Sequence, residues 1–142
     1  TLLLLMLDIS VDDTRARRML REITTRLNRP DHLLDVLAGK AHEYERDVFA
    51  SSGHGSWAAL APETVALKGS SRILVDSENL LDALTSSAET VGEDVEVRAP
   101  DYFRFHKHGT GRMPARNPAP DPDGHVVDDM AGSLLDAITE GR

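Results

Sequence analysis

The chain has 142 residues, 40 % apolar and 28 % charged, which suits one globular domain with a single core over residues 1–142. It has no cysteine, which excludes disulfides, thiolate metal sites and cysteine nucleophiles and fits a reducing cytoplasm. Its 16 Lys and Arg against 24 Asp and Glu give a net charge of −8, which argues against general binding of DNA or anionic membranes, because neutralising phosphates needs a basic face.

Residues 2–9 open with six consecutive apolar side chains. With no basic region before the run and no small-residue cleavage site after it, a signal peptide is not expected. The run is also far short of the roughly 20 residues that span a bilayer. It is read as a buried, central first strand. Ser10 and Asp13 have the spacing of a capping box. Met19, Ile23 and Leu27, with Ala16 and Leu20 beside them, then predict an amphipathic helix, which Asn28-Arg29-Pro30 ends.

A second helix is predicted from Asp31, with Leu33, Leu37, Ala41, Tyr44 and Val48 as its apolar stripe. "SSGHGS" at residues 51–56 reads as a flexible loop leading to Trp57. Pro62 and Gly69 bracket a short helix. Ile73, Leu74 and Val75 predict a short strand or extended turn, and Ser77 can cap a small helix carrying Leu80, Leu81 and Leu84. A hairpin follows, with strands near residues 85–90 and 95–98 and a turn at Gly92. Four prolines forbid regular structure through the long loop at residues 106–124, and residues 125–139 predict a last helix with Val126, Met130, Leu134 and Ile138 on one face. The order predicts an α+β fold, a small and mostly antiparallel sheet with helices packed on one face.

Charge is unevenly spread. Residues 98–116 hold Arg98, Arg104, Lys107, Arg112 and Arg116 against Asp101, a net of +4, so the remainder carries −12. A basic segment in an acidic chain can pair with the acidic surface of a second copy, a physical motive for head-to-tail assembly.

Within "HKHGTGRMPARNPAP" at residues 106–120, His106 and His108 would point to one side of an extended segment and could share a zinc ion, with His54, His125 or Asp121 as a third ligand. Their spacing matches no established zinc pattern. Ser51, Ser52, Ser56 and Thr110 lack a nucleophile-elbow context, and "GTGR" lacks the frame of a phosphate loop. No enzyme activity, metal or cofactor is expected. "RMPAR" makes better sense as a contact element. Pro114 extends Met113, Met113 is an adaptable apolar plug, and Arg112 and Arg116 can fork onto carboxylates from a loop hinged at Gly109. Trp57 fits either a core anchor or an interface anchor. Tyr102, Phe103 and Phe105 are expected to pack the segment onto the sheet.

Three stretches together resemble a known family: "WAALAPET" at residues 57–64, followed by Lys68; "ILVDSENLLDAL" at residues 73–84; and "YFRFHKHGTGRMPAR" at residues 102–116. In order and spacing they are similar to the virion-morphogenesis and tail-completion proteins of tailed bacteriophages, the group with the Mu-type G-like and S-like proteins. The family continues its arginine with proline and a large apolar residue; here Asn117 follows, then Pro118. The resemblance implies a structural virion protein at the head-tail junction, made in the host cytoplasm and assembled as a ring, by resemblance a hexamer. It would touch connector and tail-tube proteins and no membrane, and DNA would pass its lumen without specific binding. His106, His108, Gly109, Arg112, Met113, Pro114, Arg116 and Trp57 would then form the subunit or partner interface. Arg112→Glu with Arg116→Glu is expected to leave the monomer folded and to block joining. Two alternatives stay open: a small His-based metal enzyme, and a nucleic-acid-binding regulator using residues 98–116.

Overall fold

In the computed structural model, residues 10–75 and 79–142 are described. They form six helices and one two-stranded antiparallel sheet: α1 (Thr14–Leu27), α2 (Pro30–Ala50), α3 (Pro62–Lys68), α4 (Asn79–Ser86), β1 (Ala88–Val91), β2 (Asp94–Val97), α5 (Phe103–His108) and α6 (Gly124–Thr139). The expected α+β class is what the chain adopts. The expected first strand at residues 2–9 and the cap at Ser77 lie outside the described residues.

The first helix begins without the capping box. Asp13 is its N-cap and accepts nothing from the helix backbone; instead Asp12 Oδ1 accepts from the Thr14 N–H at 3.0 Å, and Asp13 pairs with Arg17 at 2.6 Å. Helix α2 starts on Pro30, whose missing N–H costs nothing at that position. At α6, Asp123 Oδ1 does accept from the Val126 N–H, at 3.0 Å.

Helix α2 is the hub, with α4, α6 and the hairpin all packed on it. The hairpin register pairs Ala88 with Val97 and Val91 with Asp94 across a Gly92-Glu93 turn. Val95 and Val97 are half-buried on the α2 side, while Glu89 and Glu96, paired across the strands, face out. His42 of α2 anchors this sheet, since its Nε2 accepts from the Ala88 N–H at 3.0 Å. Burial and the Arg46 charge push the His42 pKa down, which keeps that acceptor neutral.

The core is small and aliphatic-aromatic: Val48, Phe49, Trp57, Val75, Leu80 and Leu84, with Tyr44, Ile73, Leu74, Leu81, Val97 and Phe103 around it. Glu45 is buried beside this cluster at 9 % exposure. Desolvation alone raises its pKa to about 7, and its Oε2 has no hydrogen-bond partner among the described residues. Helix α1 contrasts with α2: none of its residues is buried, and Met19, Leu20 and Leu27 remain half or more exposed.

Candidate docking site

The loop after α2 is a closed turn, where the sequence predicted a flexible one. Ser52, Gly53, His54 and Gly55 all have positive φ, and the turn closes through Gly53 N–H to Val48 O at 2.7 Å and Trp57 N–H to Ser52 O at 3.1 Å. Gly53 is required there. A Cβ on it would overlap the Trp57 indole, and its φ of +67° is in the left-handed region. The turn delivers Trp57 into the core, edge-on to Phe49 with ring centroids 5.3 Å apart. Trp57 is 7 % exposed, so of its two expected roles the structure assigns the core anchor.

The indole also ties down the far end of the long loop. Trp57 Nε1 donates to Asn117 O at 2.9 Å, Pro118 behind it is fully buried, and Tyr44 OH donates to Pro120 O at 3.2 Å. Residues 117–120 are therefore a strap tied to Trp57 and to Tyr44 of α2. Arg116 completes the attachment. Its Nε donates to Ala58 O at 2.7 Å, one Nη donates to Ala59 O at 2.9 Å, and its backbone N–H donates to His106 O at 2.7 Å. At 7 % exposure, Arg116 is an interior staple. The expectation that Arg112→Glu with Arg116→Glu leaves a folded monomer is corrected on this point. A carboxylate at residue 116 would face two carbonyl oxygens.

The near end of the loop faces outward. Residues 103–108 are helical, where the sequence predicted an extended loop start from His106. In a helix, two residues apart means opposite sides, so His106 is half-buried and His108 exposed, and they do not converge. Among the described residues, no group of three His, Cys, Asp or Glu could hold a metal. Gly109 ends α5 with φ 73°; a Cβ there would sit 2.8 Å from Ala115 N, so both the backbone angle and the space demand glycine. Thr110 and Met113 then exchange backbone hydrogen bonds at 2.8 and 3.2 Å, which closes a tight turn with Arg112 at its exposed tip. Among the described residues, the Arg112 guanidinium has no hydrogen-bond or ion-pair partner. Pro114 is exposed and Met113 half-buried. Of the three aromatic residues expected on the sheet, only Phe103 joins the core; Tyr102 and Phe105 are 40 % and 45 % exposed.

Between the two ends lies a cavity of about 720 Å³. Leu60, Leu74, Leu80 and Met113 give it apolar walls, and Lys68, Arg112 and Arg116 bring positive charge. No Asp or Glu among the described residues lines it. Lys68 Nζ donates to Arg72 O at 2.7 Å. His106 also lines it, edge-on to Tyr102, with a buried Nδ1 that has no partner among the described residues. Burial, then the Arg116 charge, pushes the His106 pKa down, so the ring is neutral near pH 7. Leu74 forms its wall at φ +59°, a conformation that costs a bulky residue about 1–3 kcal/mol. Residues from the stretches 57–64, 73–84 and 102–116 meet here.

The basic segment is less basic in space than in sequence. Arg98 pairs with Glu89 at 2.9 Å, Arg104 lies 4.9 Å from the Phe105 ring centroid, and Arg116 is inside. Sequence reading passed over a second basic run: α1 carries Arg15, Arg17, Arg18, Arg21 and Arg26 against Glu22. Counting charge element by element would have found it. Arg17 pairs with Asp13 beside the helix start, and Arg26 donates to Ile138 O and Thr139 O at the end of α6 at 3.0 and 2.6 Å. No helix among the described residues is long and apolar enough to cross a membrane. Comparison with known protein families, curated proteins and solved structures finds no match to this chain.

Proposed function

We propose that this chain is a structural component of a tailed-phage virion, a tail-completion or head-tail joining protein that assembles as a ring at the neck. One observation supports this reading above others. The three separated stretches that resemble the family build a single site, and its rim is an outward-turned Arg112, unpaired among the described residues, beside Met113. A cation and an adaptable apolar side chain, held up by a rigid turn, fit protein contact. The separation of His106 from His108 around α5 gives the zinc alternative no support.

The test is assembly of infectious particles. Arg112→Glu is expected to leave the purified chain folded and to produce heads and tails that fail to join, seen by electron microscopy. Joined, infectious particles at the wild-type level from that variant would refute the role.

A further inference from the structure

The cavity beside Arg112 needs a partner that is apolar and negatively charged, and the chain carries such a segment on its own surface. The tip of the β1–β2 hairpin, residues 91–94, is exposed along its whole length. Val91 is 44 % exposed, although it sits at the end of a strand. Glu93 and Asp94 follow it directly and have no ion-pair partner among the described residues. The hairpin tip presents one apolar side chain beside two carboxylates, the complement of an apolar cavity with a positive rim.

We infer that the Val91–Asp94 tip of one copy of the chain seats in the cavity between α3 and the Gly109 loop of a second copy. This rests on the assembly reading above and names the contact that would build it. Val91 meets the aliphatic wall of Leu60, Leu80 and Met113. Glu93 and Asp94 meet Arg112 at the rim and Lys68 within. At about 720 Å³ the cavity has the size of pockets that enclose a compact ligand. Its described lining is positive and the tip is negative, so the fit is electrostatic as well as steric. The two surfaces are different patches of one chain. The contact is therefore heterologous, the kind that closes into a ring when the rotation permits.

The chain has no cysteine, so engineered thiols report cleanly. Full-length Glu93→Cys and Arg112→Cys proteins, each carrying one thiol, are mixed at high concentration under mild oxidation. The expected result is a disulfide dimer of the mixed pair, at least tenfold above either protein alone and above a Leu67→Cys control mixed with Glu93→Cys. Raising the salt concentration should reduce its yield, because the rim contact is between exposed charges. A second experiment uses charge reversal. Arg112→Glu should abolish association, and Arg112→Glu combined with Glu93→Lys in the same chain, which leaves Asp94 to meet Lys68, should restore it. A mixed-pair yield no higher than the control overturns the inference, and so does failure of the reversed chain to recover. If those results are negative while Arg112→Glu still blocks joining, the cavity takes another protein's acidic segment and the virion role stands. If the mixed dimer forms while particles join normally, the contact stands and the virion role falls.

Discussion

The two ends of the loop that follows α5 carry an arginine each, four residues apart, and their surroundings could hardly differ more. At the inner end, Arg116 is buried, bonded to Ala58 O and Ala59 O, and backed by the fully buried Pro118 and the Trp57 indole. At the outer end, Arg112 stands exposed on a turn closed by Thr110 and Met113. The inner cation holds the chain to itself, and the outer one is available to something else. Charge alone cannot distinguish the two. What separates them is that carbonyl oxygens of residues 58 and 59 wait for one guanidinium and nothing among the described residues waits for the other.

The largest effect is expected at the inner end. Arg116→Glu should destabilise the fold by about 4 kcal/mol, since it removes two charge-assisted hydrogen bonds and sets a carboxylate against two carbonyls. Urea unfolding reads this directly, and a loss under about 1 kcal/mol would mean that the staple is ornamental.

Glu45 tests the interior through pH. Its folded pKa is raised from 4.5 to about 7, so the native state binds the extra proton and stability falls as pH rises from 4.5 through 7. The lowered pKa values of His42 and His106 act oppositely, with stability present above their ordinary 6.5 and lost as pH falls. Subtracting the Glu45→Gln variant isolates the carboxyl. That variant should gain about 2.5 kcal/mol on the wild type between pH 5 and pH 8. A constant difference across that window would contradict the burial.

Gly109→Ala should cost about 2 kcal/mol, through a positive φ and a clash with the Ala115 backbone. It should also loosen the outer turn, measurable as faster amide exchange at Thr110 and Met113. Trp57→Phe keeps an aromatic ring but loses the bond to Asn117 O and part of the buried indole volume, so about 2 kcal/mol is expected. Arg112→Ala should change stability by less than about 0.5 kcal/mol.

Much of the architecture was legible because it depends on local rules. The periods of α2 and α6, the proline that opens α3 and the alternation around Gly92 each follow from steric or burial patterns that the sequence displays. The inner end of the loop was not legible, for a stated reason. Arg116 bonds to backbone carbonyls 57 and 58 residues earlier, and every residue has a carbonyl, so no side-chain pattern announces the pairing. Helix α5 was missed because His106 and His108 alternate as in a strand, and its six residues offer too little periodicity to overrule that. In α1 the period was read correctly, yet its apolar face is exposed: periodicity says which face is apolar and not what covers it.

The most direct measurement is urea unfolding of Arg112→Glu and Arg116→Glu, side by side under one condition. The expected result is a wild-type midpoint for Arg112→Glu and a large drop for Arg116→Glu with an unchanged slope. Equal drops, or a larger one for Arg112→Glu, would contradict the division of this loop into an end that folds the chain and an end that meets a partner.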